Sequence, residues 1–299
     1  MRTLLVLWLA LPLSLQEGTG AGAPPPAVAP PAAPSPAQAA WDAVLGAMTV
    51  PGERQQVTSF SIGAHVTARQ GVQSNDFEAS YKFLAPAFIR FGLGPNRETG
   101  HGPGQGTKAY WLRDNKQITV LEGRTYAEDR DLVRRMTTIA NNILVLADPQ
   151  KVRTRDLQMR ERAPELLPQD VAWGARRLTW IEFLSPDFDL YRDEPPSGAE
   201  PAAERLFRVL VGADRKRNLP ALVLLSEEGD PRQVTGEPLL FELQDYRAVD
   251  GYMLPHGIKV RGLDVNAPAT QFQAAPAQEI SVLSADLTPH FTPDDFKAE

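Results

Sequence analysis

The chain has 299 residues, of which 42% are hydrophobic, and it carries a formal net charge of −6 at pH 7. This composition is typical of a globular protein, and its acidic balance argues against a nucleic-acid partner. The chain contains no cysteine, which excludes disulfides, thiolate metal ligands and acylation at a cysteine. A locally basic region at residues 130–177 is interleaved with acidic residues, so it predicts a solvated face of mixed charge.

The N-terminal segment has the pattern of a secretory signal peptide. Met1 and Arg2 precede an apolar run from Leu4 to Leu15, and small residues follow around Ala21. A short positive start, an apolar core and a small-residue end are the features that the export machinery recognises. The apolar run is too short to span a bilayer comfortably. The sequence therefore predicts a signal peptide at residues 1–21 and an exported protein that is not an integral membrane protein.

A proline- and alanine-rich segment follows the predicted signal peptide. Seven prolines lie between Pro24 and Pro36, and they leave few backbone donors and little side-chain surface to bury. This composition predicts an extended, semi-rigid linker at residues 22–37. The remaining residues, 38–299, are enough for one folded domain with a sizeable core.

The domain is predicted to begin with a short helix and a long strand. Trp41, Val44, Leu45 and Met48 recur at helical spacing, which predicts an amphipathic helix over Gln38–Met48. Apolar and polar residues then alternate over Gln56–Arg69, which is typical of a strand with one buried face.

The segment Phe77–Leu121 is predicted to form a meander of about four antiparallel strands. Its apolar residues alternate with polar ones on both sides of a glycine-rich stretch at residues 92–107. That stretch lacks the order of a phosphate-binding loop and is predicted to be a mobile rim loop. The polar turn at residues 113–116 predicts a hairpin between Ala109–Leu112 and Gln117–Leu121.

The next segment, Arg124–Ala147, has the strongest helical pattern in the chain. Thr125 and Glu128 have the spacing of a capping box, and Asp148 precedes a proline that ends the pattern. The apolar residues fall at three- and four-residue steps: Leu132, Met136, Ile139, Ala140, Ile143, Leu144 and Ala147. Because such a stripe requires burial, the predicted helix should pack against the sheet.

The second half of the chain is predicted to be mainly β. Residues 151–168 suggest a short helix and a loop, and residues 185–204 suggest a long exposed loop whose acidic residues lack the pattern of a calcium site. The dipeptide Asp250-Gly251 predicts a tight hairpin turn. The predicted strands are Arg177–Leu184, Leu206–Gly212, Ala221–Ser226, Leu239–Tyr246, Tyr252–Gly262 and Glu279–Leu287.

Two of these segments resemble motifs of a known family. In the first, Pro86 precedes Ala87-Phe88-Ile89-Arg90-Phe91, and a loop leads to Tyr110-Trp111 and a polar turn. The second is FELQDYRAVDGYMLPHGIKV, which ends at Val260. In this order and at this separation they are similar to segments of the LolA/LolB-like superfamily of periplasmic lipoprotein carriers. The resemblance implies an incomplete, highly curved antiparallel β-barrel of about ten strands, with helices against its concave face.

The resemblance also implies a function that involves no catalysis and no cofactor. The expected protein is a periplasmic monomer that shelters the acyl chains of lipids or lipoproteins in an apolar cavity between helix and sheet. An envelope protein is an expected second partner. The residues expected to line the cavity are Phe88, Arg90, Phe91, Trp111, Leu132, Met136, Ile139, Ile143 and Trp180. For Arg90 the alternative is a strand arginine that faces water and covers apolar surface with its stem.

Two other functions stay open at this stage. The four histidines, His65, His101, His256 and His290, lack the spacing of a zinc site, and no serine-nucleophile motif is present. Two separated carboxylates could still be brought together in space, which leaves a hydrolase as an alternative. The other alternative is a structural or interaction module of the cell envelope with a dry core.

Overall fold

The structure is a computed structural model. It describes residues 33–50, 57–70, 73–84, 88–93, 108–113, 116–121, 124–127, 152–186, 188, 206–229, 238–264 and 271–296. For β3 to β6, defined below, it describes the backbone and its pairing. Within the described residues the chain is mainly β, with two α-helices and a short 3-10 helix at Pro293–Phe296.

Thirteen antiparallel strands in the described part of the chain form one sheet. They are β1 (Ser59–Gln70), β2 (Gln73–Leu84), β3 (Phe88–Leu93), β4 (Lys108–Arg113), β5 (Lys116–Leu121), β6 (Arg124–Ala127), β7 (Arg155–Arg160), β8 (Leu178–Ser185), β9 (Leu206–Asp214), β10 (Pro220–Glu228), β11 (Leu239–Val249), β12 (Tyr252–Arg261) and β13 (Gln278–Asp286). The order across the sheet is β6-β5-β4-β3-β2-β1-β13-β12-β11-β10-β9-β8-β7.

The sheet follows chain order except at one point, where β1 pairs with the last strand, β13. The early meander β2 to β6 therefore extends from one side of β1, and the later strands extend from the other. The end strands β6 and β7 are not paired with each other, so the described sheet is open. The predicted fold class, a mainly β protein with an incomplete antiparallel barrel, is confirmed.

The predicted hairpins are confirmed by the pairing. Asp250 and Gly251 have φ angles of 48° and 83°, and they join β11 to β12 with Val249 opposite Tyr252. A turn with both central residues in the left-handed region matches the twist of the flanking strands, and glycine adopts that region at no steric cost. The hairpin between β4 and β5 closes with Arg113 opposite Lys116.

The prediction of a helix starting at Arg124 is wrong for its first four residues. Arg124–Ala127 is strand β6, and Thr125 lies opposite Val120 of β5 instead of capping a helix. Pairing with a neighbouring strand satisfies the backbone groups that the capping box would have satisfied, so tertiary context overrides the local pattern. The rest of the predicted helix, residues 128–147, lies outside the described residues.

The prediction for residues 151–168 is also corrected. Its charged segment Arg155–Arg160 is strand β7 at an edge of the sheet, paired with β8. Charged residues are common on edge strands because they discourage pairing with other chains. The short helix of this region begins later, as α2 (Gln169–Ala175).

Helix α1 (Pro36–Ala47) begins two residues earlier than predicted. Pro36 occupies its first turn, and the Ser35 hydroxyl accepts a hydrogen bond of 3.1 Å from the backbone N–H of Gln38. Proline and a serine cap are both favoured at these positions because the first N–H groups of a helix have no partner inside it. Neither α-helix in the described part of the chain is long and apolar enough to cross a membrane.

Candidate functional site

One face of the sheet carries two apolar clusters. Directly opposed residues of antiparallel strands point to the same face. Ile280 of β13 lies opposite Val66 of β1 and opposite Ile258 of β12. Val66 belongs to the first cluster and Ile258 packs on the second, so the two clusters share this face, which we call the inner face.

The first cluster lies where β1, β2, β12 and β13 meet. Phe60 and Phe83 stack with ring centroids 5.4 Å apart, and Tyr252 is fully buried beside them. The cluster contains no residue of α1 or α2. Its buried members are Val57, Phe60, Ile62, Val66, Ala79, Phe83, Tyr252, Leu254, Val282 and Leu287.

The second cluster lies under α1. Trp41 of α1 packs on Phe183 of β8 with ring centroids 4.9 Å apart and a tilt of 55°. Val44 of the same helix and Met48, which directly follows the helix, are buried in this cluster together with residues of β8, β9 and β12. Tilted rings at this distance are a favourable aromatic contact. This part of the inner face is therefore closed by α1 with well-packed side chains.

Two polar side chains, His256 and Tyr246, are buried near the apolar clusters. His256 of β12 is buried, and its Nδ1 lies 3.1 Å from the carbonyl oxygen of Leu254. The hydroxyl of Tyr246 is buried in the second cluster with no hydrogen-bond partner in the described structure. Burial raises the pKa of Tyr246, so the hydroxyl stays protonated and able to donate a hydrogen bond. Strand alternation places His256 on the inner face, on the same side of β12 as Leu254.

The opposite, outer face of the sheet carries a third cluster and buried charges. Leu240 of this cluster lies opposite Arg261. The Arg261 guanidinium donates to Glu242 at 2.6 Å, to Asp170 of α2 at 2.8 Å and to the carbonyl oxygen of Gln273 at 3.1 Å. It also donates to the carbonyl oxygen of Ala274. Arg261 therefore ties α2 and the segment before β13 to the sheet, which is a structural role.

A small polar cavity of about 160 Å³ lies on the outer side of β7 to β9. Its floor is Glu182, which is 2% exposed and ion-paired with Arg160 and Arg208. Burial acts to raise the pKa of Glu182, but hydrogen bonds and charge from the two arginines outweigh burial and lower it. The other lining residues are Asp156, Gln158, Phe183, Leu184 and Arg208. Since each charge in the floor already has a partner, the arrangement is that of a structural ion-pair network.

Some of the expected cavity residues lie in described strands, and others lie outside the described residues. Arg90 lies opposite Trp111, and Phe91 lies opposite Tyr110, so β3 and β4 bring these register positions together. Phe88 lies opposite Leu84 of β2. The expected residues Leu132, Met136, Ile139 and Ile143 lie outside the described residues.

Trp180 lies away from the inner face. It is 2% exposed in the third cluster, and its indole N–H donates to the carbonyl oxygen of Ala175 at 3.1 Å. Its neighbour Ile181 lies on the inner face. Phe60, Phe83 and Tyr252 belong to the first cluster, but they were not among the expected cavity residues. Their alternation within strands was the signal available in the sequence.

The described residues hold no group of three or more His, Cys, Asp or Glu side chains placed to bind a metal ion. On the outer face, His65 Nε2 lies 3.4 Å from Asp76 Oδ1. Thr67 also donates a hydrogen bond to Asp76. The His65 Nδ1 is buried without a partner in the described structure.

No protein-family model matches the chain, and no curated protein matches it. Solved structures do resemble it. A LolA superfamily protein from Nitrosomonas europaea is similar over 88% of this chain and 97% of its own, with a TM-score of 0.47 and 8% identity. A domain assigned as an outer-membrane lipoprotein-sorting protein from Vibrio parahaemolyticus is similar over 87% and 97%, with a TM-score of 0.43 and 10% identity.

A DUF1329 family protein from Desulfovibrio piger is similar over 88% of this chain and 98% of its own, with a TM-score of 0.42 and 11% identity. One of these structures is a LolA superfamily protein, and the two sequence motifs resemble that same superfamily. At these identities and TM-scores the likeness assigns no family and no activity to this chain.

Proposed function

We propose that the protein is a non-catalytic, periplasmic carrier or binder of lipids or lipoproteins that shelters acyl chains against the inner face. The observation that carries this proposal is the unequal cover of that face. The second cluster contains Trp41 and Val44 of α1, whereas the first cluster contains no residue of either described α-helix. A large apolar surface with separate cover is what an acyl-chain site requires.

The predicted amphipathic helix around Met136 is the proposed cover of the first cluster. Its apolar stripe needs an apolar surface, and the first cluster supplies one in the same sheet. Acyl chains would lie between this stripe and residues such as Phe60 and Phe83.

The proposed cargo class is compatible with the name of the Vibrio parahaemolyticus domain, an outer-membrane lipoprotein-sorting protein. The proposal does not rest on that name. The N-terminal signal-peptide pattern supports export. Proposed partners are therefore lipid or lipoprotein acyl chains and an envelope protein, with the protein acting as a monomer.

The proposal is tested by placing a charge in the proposed chamber. Met136→Asp should abolish co-purifying lipid and binding of a fluorescent fatty acid, because a carboxylate in contact with hydrocarbon is strongly disfavoured. It should keep the wild-type far-ultraviolet circular dichroism, since water can enter an open chamber. Met159→Asp is the matched control, because Met159 is an exposed methionine on the edge strand β7, and it should change neither property.

Native mass spectrometry after gentle extraction measures the bound lipid. Phe183→Asp marks the behaviour of a dry core, since Phe183 is 1% exposed under α1 and an unpaired charge there should unfold the domain. If the wild type binds neither lipid nor fatty acid and Met136→Asp unfolds like Phe183→Asp, the carrier proposal fails and the interaction module replaces it.

A further inference from the structure

Helix α2 presents a large exposed aromatic side chain. Trp173 is 69% exposed, although its neighbours Val171 and Ala175 are buried against the sheet. The helix is fixed in place by the ion pair between Asp170 and Arg261 at 2.8 Å. A single exposed apolar residue is common on protein surfaces, so Trp173 needs a second observation before it indicates a binding site.

The second observation is a group of cations around Trp173. Arg176 and Arg177 follow it by three and four residues, directly after the C-terminal end of the helix. Strand pairing places Leu178 opposite Asp214, and Arg215 donates to the carbonyl oxygen of Leu178 at 3.4 Å. The turn after β9 therefore lies beside the end of α2. We call Trp173, Arg176, Arg177, Arg215, Lys216 and Arg217 the basic patch, and all six are exposed.

The charge of the basic patch is largely uncompensated. Asp214 is the acidic residue of the turn, and it accepts hydrogen bonds from the backbone N–H groups of Lys216 at 3.0 Å and Arg217 at 2.8 Å. The Arg217 guanidinium approaches it only to 4.0 Å. Asp170 of α2 is committed to Arg261. Among the described residues, five cations of the basic patch thus lie near two carboxylates, Asp214 and Asp170. Because the formal net charge of the chain is −6, the positive potential is a local feature of this surface.

We propose that the basic patch docks the protein on a bilayer surface that contains anionic phospholipids. Tryptophan concentrates at the headgroup level of membranes because its ring is apolar and its N–H is polar. Clustered lysine and arginine are attracted to anionic headgroups over roughly a Debye length. Trp173 is exposed on α2 among cations that belong to two separate segments of the chain. A fluid membrane surface can contact such separated side chains more readily than a rigid groove of a partner protein can. This inference goes beyond the proposed carriage of acyl chains and does not require it.

The test measures binding of the full chain to vesicles. Sedimentation at 100 mM NaCl compares vesicles of phosphatidylcholine and phosphatidylglycerol at 3:1 with vesicles of phosphatidylcholine alone. The triple variant R176Q/R177Q/K216Q should bind the anionic vesicles about 100-fold more weakly, at about fivefold for each cation removed. Trp173→Ala should weaken binding roughly tenfold. All four side chains are exposed, so the variants should keep the wild-type circular dichroism.

Matched controls separate the patch from general charge and hydrophobicity. Arg69→Gln removes an exposed cation on β1, and Leu283→Ala removes a side chain that is 57% exposed on β13. Both should bind vesicles like the wild type. Brominated lipid should quench part of the wild-type tryptophan fluorescence, and this part should be missing in Trp173→Phe. Met136→Asp should dock normally, so loss of cargo and loss of docking are distinguishable.

Three results would overturn the docking proposal. Binding could be equal for the two kinds of vesicle, or it could be undiminished in the triple variant. The wild type could also ignore vesicles and instead bind immobilised polyglutamate through the same residues, which would assign the basic patch to an acidic protein partner.

Discussion

The two halves of the sheet are stabilised in different ways. Around β8 and β9 the sheet is covered on both faces, by α1 through Trp41 and by α2 through Val171. Around β1 and β2 the inner face carries the first cluster without a residue from either described helix. The outer face there is polar, with His65 and Thr67 against Asp76.

This difference indicates that the two halves have different roles within one continuous sheet. A half packed on both faces resists deformation because each side chain has partners on all sides. In the other half, we propose that a separate segment covers the apolar face. A ligand can replace such a segment at a lower free-energy cost than it can replace packed core side chains. The rigid half thus fixes the geometry of the sheet, and the other half provides the proposed acyl-chain surface.

The largest expected difference comes from removing one phenylalanine from each half. Phe183→Ala should destabilise the protein by about 3–5 kcal/mol, because it leaves a cavity against Trp41 that the surrounding structure cannot fill. Phe83→Ala in the first cluster should cost less than Phe183→Ala but weaken fatty-acid binding. Urea unfolding and fatty-acid titration of both variants measure this. Equal destabilisation with unchanged fatty-acid binding would remove the contrast between the halves.

The ion pairs of the rigid half should make the free energy of unfolding depend on pH. Glu182→Gln should cost about 2–3 kcal/mol at pH 7, since it leaves Arg160 and Arg208 without their shared carboxylate. The folded-state pKa of Glu182 lies below its ordinary value of 4.5. The contribution of the carboxylate is therefore complete above pH about 5 and is lost as the pH falls through the folded-state pKa.

Urea unfolding of wild type and Glu182→Gln at several values between pH 7 and pH 3 tests this. The difference in unfolding free energy should shrink toward the acidic end. Glu279→Gln removes an exposed carboxylate paired with Arg69 and should change stability by less than about 1 kcal/mol. A difference for Glu182→Gln that stays constant with pH would contradict the assigned ion-pair network.

A smaller effect is expected from two glycines with different surroundings. A Cβ at Gly212 of β9 would lie 2.8 Å from Leu178 Cδ1 and 2.9 Å from the Trp180 ring. Gly212→Ala should therefore cost about 1–3 kcal/mol through forced repacking. Gly46 of α1 has open space around it, so Gly46→Ala should stabilise the protein by up to about 1 kcal/mol. Thermal melts that shift both variants in the same direction would contradict the packing described for β8 and β9.

The smallest effect is expected at the N-terminal boundary of the domain. Deleting residues 22–32 should change stability by less than about 1 kcal/mol, because a proline–alanine spacer buries little. Extending the deletion through residue 37 should cost more, since Ser35 caps α1 and Ala37 is buried. Equal melting temperatures for the two deletions would show that α1 does not depend on its cap.

Elements with a local sequence pattern could be predicted from the sequence. Alternation of apolar and polar residues predicted most strands, and Asp250-Gly251 predicted its turn, because side-chain direction and allowed φ values are properties of the chain at each position. Helical spacing around Trp41 predicted α1 to within two residues. Prediction failed at β6 and β7, two short segments that become strands only because each pairs with a neighbouring strand.

The tertiary structure alone decided which residues act together. Arg261 reads as an ordinary strand arginine in the sequence, yet it is 3% exposed because Glu242, Asp170 and distant carbonyl groups converge on it. The basic patch joins residues 173–177 to residues 215–217 through the pairing of β8 with β9. Charge and burial depend on partners far away in the chain, so they follow from the register of the sheet and not from local periodicity.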